Sequence, residues 1–171
     1  MKSTNRIELR SITESDQENI FQGLSNPEVI KYYGVSFETL EATEEQMIWF
    51  QNLEKNGTGK WWSIVNSETR QFLGAGGFND LNKELKKAEI GFWLLPEFWN
   101  RGYMQEAMPL ICDYGFNELG LNKIEGIVES ENLKCKRAIE KLEFTLESTG
   151  RNSEMKNGKL ISLDTYIKLK A

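Results

Sequence analysis

The stretch AEIGFWLLPEFWNRGYMQEAM, residues 88–108, decides how this chain folds. From Ile90 to Leu95 the residues are apolar and β-favouring, which reads as a buried strand, and Pro96 stops it. Downstream, Ala107, Leu110, Ile111 and Tyr114 recur at helical spacing. The segment therefore predicts a strand passing through a short loop into a helix N-terminus, with Arg101-Gly102-Tyr103 at the turn. A helix start carries unpaired N–H groups and the positive end of the helix dipole, and both favour phosphate oxygens. A phosphorylated group is expected to dock near Gly102.

Working outward, residues 61–66, 71–80 and 88–95 read as three successive strands joined by polar turns, an antiparallel meander. The helix at 102–118 ends at Gly120, and a strand at 123–130 follows, so that the two strands flanking the helix are parallel. A helix at 133–142 leads to strands at 144–152 and 160–168, connected through the turn-forming pair Asn157-Gly158. Toward the N-terminus, Ile7 and Leu9 mark a first strand. Thr13 with Asp16 resembles a helix-start box leading to Ile20, Phe21 and Leu24, and Asn26-Pro27-Glu28 is a second start. Thr43 with Gln46 opens a third helix carrying Met47, Ile48, Phe50 and Leu53, which Asn56-Gly57 ends.

The chain has 171 residues, no internal repeat and no Ser/Pro-rich linker, so a single domain over 1–171 is expected. No apolar run approaches the roughly 18 residues that span a bilayer, and MKSTNRIELR lacks the apolar core of a signal peptide, so the expected location is cytoplasmic, without membrane association. The net charge of -5 argues against dedicated nucleic-acid binding, although Lys134, Lys136, Arg137 and Lys141 form a local basic cluster, patch or solvated helix face. Histidine is absent, which removes imidazole bases, His-containing triads and His-ligated metals, and two cysteines, Cys112 and Cys135, cannot make a structural zinc site. No metal is expected, with carboxylate-only binding left open. A reducing compartment makes a disulfide between the cysteines unexpected.

Four blocks in register, LRSITESD, GxxGF from Gly74 to Phe78, EIGFWLLPEFWNRGY with its following EA, and YGFNELGLNKI through SENLKCKRAIEKLEF, resemble the GCN5-related N-acetyltransferase superfamily, and most closely its ribosomal-protein N-terminal acetyltransferase branch. The resemblance covers nearly the whole chain. It implies an α+β fold: a mixed sheet of about seven strands, mostly antiparallel with one splayed parallel pair, flanked by helices. It also implies acetyl-coenzyme A as cosubstrate, bound in the gap between the strand ending at Leu95 and the strand starting at Lys123. Trp93, Leu94 and Leu95 then line the pantetheine arm, while the backbone amides of Arg101, Gly102, Tyr103, Met104 and Gln105 meet the pyrophosphate. The Arg101 side chain adds a charged contact or is a surface arginine. Asn132 contacts pantetheine or caps its loop, and Arg137 reaches toward the phosphates or stays solvated.

Two departures stand out. Met104 replaces the usual Gly or Ala of the phosphate turn, and Glu143-Phe144 replaces a Gly-Phe; either the latter turn does without positive φ or it is strained. For catalysis, Glu89 is the candidate general base, with a strand-end surface carboxylate as the alternative. The tyrosine that many relatives use as an acid is Ile139 here, and Cys135 stands where the ribosomal branch has a serine proton donor. A thiol with a reference pKa of about 8.5 suits that role, and a structural cysteine is the alternative. The expected activity is direct acetyl transfer to a primary amine, the α-amine of a protein or peptide first, a polyamine or other small amine second. A non-catalytic acyl-coenzyme A-binding regulatory domain is a different class. The expected state is monomer or homodimer.

Overall fold

The computed structural model, which describes residues 3–171, is built on one seven-stranded sheet. The first two residues of the N-terminal stretch considered for a leader lie outside the described residues. Strands β2 (Lys60–Asn66), β3 (Phe72–Asn82) and β4 (Lys87–Leu94) form the predicted antiparallel meander, and β1 (Ile7–Ser11) adds to it by pairing antiparallel with β2. β5 (Lys123–Glu129) joins β4 in parallel, and β7 (Lys159–Leu169) and β6 (Thr145–Lys156) close the order β1-β2-β3-β4-β5-β7-β6 with antiparallel pairings. The parallel pair is the one joined by a helical crossover, as a parallel connection requires.

Helices cover both faces. α1 (Gln17–Leu24), α2 (Pro27–Ile30) and α3 (Glu44–Asn56) lie on one, and α4 (Tyr103–Asn117) and α5 (Leu133–Lys141) on the other. Strand alternation sorts the contacts. On the α1/α3 face, Trp93 lies against the backbone of Gly23, and the ring of Trp61 is 5.6 Å from that of Phe50. On the α4/α5 face, Phe78 packs on Gly115, while Ile90 and Ile139 meet over Gly126. Ile20, Leu24, Ile64, Leu73, Ile111 and Ile124 are fully buried between these layers, each contributing about 1.5–3 kcal/mol of burial.

Most local signals act as their chemistry predicts. Asn26 Oδ1 accepts from the Glu28 N–H at 2.9 Å, Gly57 ends α3 in the left-handed region, and Asn157-Gly158 adopt φ of 50° and 77°, a two-residue hairpin turn. The Asp16 carboxylate reaches back to the Thr13 N–H at 2.8 Å and pairs with Arg10 at 2.6 Å. Burial pushes that carboxyl up, but these partners win and hold it below its ordinary value. Three expectations are corrected or resolved. The Thr43–Gln46 box does not form, because the Thr43 hydroxyl donates to the Thr39 carbonyl at 2.9 Å and its backbone is already helical, so α3 grows out of a preceding turn. Ile48 is exposed, one position off the buried stripe of Met47, Phe50 and Leu53. Glu143 does adopt positive φ, 67°, so of the two readings offered for that turn the strained one holds.

Candidate active site between two diverging strands

β4 and β5 pair only over Lys87–Lys123, Ala88–Ile124 and Glu89–Glu125, after which β4 runs on to Leu94 alone while β5 stays paired with β7 as far as Glu129. A V-shaped gap opens beyond Glu89. On the α5 side of its base, a Cβ built on Gly126 would stand 2.6 Å from Ile139 Cδ1 and 3.7 Å from Ile90 Cγ2, so these two side chains occupy the space over the strand backbone. Among the described residues the β4 edge facing the gap has no strand partner there, and at its far end the Leu94 carbonyl accepts from the Trp99 indole at 2.8 Å.

At the mouth of the gap sits the start of α4. Asn100 and Gly102 both have positive φ, 61° and 79°, and bracket Arg101 in a tight turn. Gly102 is the N-cap and has no side chain to offer, and among the described residues no side chain caps this helix start. An uncapped helix start offers its N–H groups and the positive end of the helix dipole to an anion. Arg101 is exposed, stands over Phe98 at 5.9 Å, and makes no ion pair among the described residues. Tyr103 and Met104 are half-buried against the core, so the methionine that departs from the usual small residue turns away from the amides. Exposed Gln105 donates to the Ala138 carbonyl at 3.3 Å, tying α4 to α5 beside exposed Arg137.

The remaining cofactor candidates divide. Leu94 and Leu95 are buried at the end of β4, but the Trp93 side chain lies in the core under α1 and not in the gap. Asn132 caps α5, its Oδ1 accepting from the Cys135 N–H at 3.2 Å. The basic cluster is not uniformly solvated: Lys136 pairs with buried Asp164 at 2.7 Å, and Lys134 stands over the Trp99 ring at 4.8 Å.

Glu89 lies on the α1/α3 face at the last paired position of β4. It accepts from Asn79 Nδ2 at 3.3 Å, and the same amide lies 3.1 Å from an Asp80 oxygen. Burial, reinforced by Asp80, pushes the Glu89 carboxyl up to about 7. Tyr33, which follows α2, has its phenol raised by burial first and then by the charge of Glu89. Along the same face, Glu125 pairs with Lys87 at 2.8 Å, and Glu129 with Lys156 at 2.7 Å. Lys156 also donates to the Lys31 carbonyl at 2.9 Å, joining the loop after α2 to the β6–β7 hairpin.

Cys135 is half-buried in the first turn of α5, on the face opposite Glu89, so the two catalytic candidates flank the sheet from opposite sides. Burial pushes its thiol up to about 11, well above the reference value that suited it to proton donation. Against a leaving thiolate near 8.5, donation runs uphill by about 3 kcal/mol, so the thiol stays protonated but is a weak acid. Cys135→Ala is accordingly expected to lower kcat only about three- to tenfold with KM for acetyl-coenzyme A unchanged, and Cys135→Ser less; a wild-type kcat in both would remove the acid role. Cys112 is buried, its thiol raised to about 12 by burial, and it belongs to the core.

Composition and periodicity pointed to none of Asn79, Asp80, Tyr33 and Lys156, because each acts through a partner brought to it by sheet pairing or by a loop crossing the sheet edge. Among the described residues no helix is long and apolar enough to cross a membrane, and no cluster of three or more His, Cys, Asp or Glu is arranged to hold a metal.

A mixed sheet with one splayed parallel pair and an uncapped helix start at the mouth of the splay is the arrangement of the N-acetyltransferase fold. The chain belongs to the Acetyltransferase (GNAT) domain family, whose profile matches residues 6–145. The uncharacterized N-acetyltransferase YoaA of Bacillus subtilis (strain 168) is 34% identical over 164 residues, 95% of this chain and 93% of that protein. Spermidine N(1)-acetyltransferase of Escherichia coli (strain K12) is 26% identical over 155 residues, 86% and 77% of the two chains. Among solved structures, RimL, a ribosomal alpha-N-protein acetyltransferase in complex with coenzyme A, superposes with a TM-score of 0.88 at 21% identity, covering 99% of this chain and 96% of its own. Spermidine N-acetyltransferase from Vibrio cholerae, in complex with coenzyme A and spermine, does so with a TM-score of 0.86 at 20% identity over 97% and 96%. The protein is an N-acetyltransferase of this family, similar in fold to enzymes named for two different kinds of acceptor.

Proposed function

We propose that this chain transfers the acetyl group of acetyl-coenzyme A to the N-terminal α-amine of a protein or peptide. The observation that carries the reading is the pairing of charges on the α1/α3 face. Of Glu89, Glu125 and Glu129, the latter two have lysine partners and Glu89 has none among the described residues. A polycation needs several unspent carboxylates, whereas a single amine needs one. The Glu89 carboxyl near 7 also suits the proton it has to take. Removing a proton from an α-ammonium of pKa about 8 runs uphill by roughly 1.4 kcal/mol, against nearly 5 for a lysine-like ammonium of about 10.4.

In this reading the open edge of β4, from Trp93 to Leu95, aligns pantetheine, and the Gly102, Tyr103, Met104 and Gln105 amides hold the pyrophosphate with Arg101 beside them. Asn132 and Arg137 complete the α5 side. Acetyl-coenzyme A supplies the activated thioester. The amine enters from the α1/α3 face, framed by the loop after α2 and the β6–β7 hairpin, which Lys156 joins. Glu89 takes the ammonium proton directly or through water, the neutral nitrogen attacks the carbonyl carbon, the C–S bond breaks, and the second amine proton passes to the leaving thiolate through solvent or through Cys135. Positioning supplies much of the acceleration, up to about 7–11 kcal/mol in favourable intramolecular models. Two free thiols fit a reducing, cytoplasmic setting.

The test is a coenzyme A-release assay across N-terminal peptides, polyamines and free lysine. A peptide α-amine is expected to exceed spermidine in kcat/KM by at least about tenfold, roughly 1.4 kcal/mol of transition-state preference. Efficient acetylation of a polyamine with none of any peptide would instead establish the small-amine reading, and tight acetyl-coenzyme A binding without any reactive acceptor the regulatory one.

A further inference from the structure

We propose that Arg6, at the entrance to β1, is a positioning residue for coenzyme A that sets the phosphate turn from beneath. The proposal rests on the reading of the Gly102 turn as the pyrophosphate site. Arg6 precedes that turn by nearly a hundred residues, yet three contacts bring it there. Its guanidinium is paired with Glu106, in the first turn of α4. Its Nη2 donates to the Arg101 carbonyl at 3.0 Å, and its Cζ lies 4.6 Å from the centroid of the Tyr103 ring. Thr4 Oγ1 donates to the other oxygen of Glu106 at 3.1 Å, so the carboxylate is held from two sides.

The consequence follows from peptide geometry. In a trans peptide the carbonyl and the following N–H point in opposite directions. Fixing the Arg101 carbonyl on the Arg6 side therefore aims the Gly102 N–H to the other side. Gly102 at φ 79° has a flat choice of conformations of its own, since glycine takes either sign of φ, and does not hold that orientation unaided. Arg6 supplies the missing constraint. Its charge is already matched by Glu106, so it acts by geometry and not as a further cation for phosphate. Only a planar guanidinium can address a carboxylate and a carbonyl at once while lying over an aromatic ring. Nearly half of the Arg6 side chain is exposed, at 45%, and an ion pair in that setting adds little to stability, so variants at this position fold.

The test compares two probes that differ only in the part of the molecule this turn would hold. Steady-state kinetics with acetyl-coenzyme A and with S-acetyl-pantetheine, which lacks the pyrophosphate and nucleotide, are measured for the wild type, Arg6→Met and Arg6→Lys, with melting curves as a control. The expected result is a KM for acetyl-coenzyme A raised about tenfold in Arg6→Met, kcat within twofold of wild type, and an unchanged KM for S-acetyl-pantetheine. Arg6→Lys is expected to rescue poorly, because the ammonium lacks the fork. An equal loss on both probes would reduce Arg6 to general structural support and overturn the proposal, as would a wild-type KM on both in a folded variant. If the wild type itself did not distinguish the two probes, the reading of the Gly102 turn would fail first and the role of Arg6 with it.

Discussion

Glu89→Gln is expected to lose about a hundredfold in kcat/KM near neutral pH and to change the shape of the acid limb. The lower end of the usual range for general-base catalysis applies, because an α-amine is already partly neutral there. In the wild type the limb follows loss of the Glu89 proton near 7 together with the acceptor's own titration; in the variant only the acceptor remains, near 8. The same substitution has a second signature, in stability. Burial raises the folded-state pKa above its unfolded value, so the wild type is penalised by no ionised carboxylate below about 4.5 and increasingly by one as pH rises through 7. Glutamine carries no such penalty. Its melting temperature should therefore exceed that of the wild type above pH 7, by an amount equivalent to about 1–3 kcal/mol given partial solvent access, and the gain should vanish on going down to pH 4.5. Wild-type turnover at every pH, with an acceptor known to react, would make Glu89 a surface carboxylate.

Gly102→Val is expected to weaken coenzyme A binding at least tenfold, about 1.4 kcal/mol, as measured by calorimetry on a folded variant. The turn needs φ of 79° at this position, where a β-branched residue costs on the order of 1–3 kcal/mol, and a Cβ there would also stand 3.3 Å from Arg6 Nη2. The backbone can relieve both by rotating the Arg101–Gly102 peptide, which breaks the bond from Arg6 to the Arg101 carbonyl and turns the Gly102 N–H away from the cradle. Because α4 continues for fifteen residues of packed helix, the damage stays local, and the variant should melt near the wild type. An unchanged affinity would show that the cradle does not depend on this turn.

How legible this protein was differs from element to element. The strand, loop and helix around Pro96 and Gly102 were readable because their signals are local: a proline that ends a strand, a glycine that permits positive φ, a spacing of three and four that buries one helix face. The parallel relation of β4 and β5 was readable too, since a helix between two strands leaves little else. The Thr43 box failed for an equally local reason, because a threonine hydroxyl serves a preceding carbonyl as readily as a following amide. Trp93 illustrates a different limit. Its place in the strand was plain, but which face of the sheet meets α1 depends on packing that no spacing encodes.

The chain's own sequence was therefore enough to determine the order of elements, the family's fold, the glycine turn at the mouth of the gap and the placement of Glu89 beside it. Tertiary structure alone decided the electrostatics. Whether Glu89 titrates near 7 depends on its burial and on Asp80 across a strand pair. Whether Glu129 is spent depends on Lys156, and whether the Arg101 carbonyl is held depends on Arg6. Backbone conformation answers to neighbours a few positions away and can be read from them, whereas charge and proton affinity answer to whatever lies within a few ångströms in space, which only the folded chain brings together.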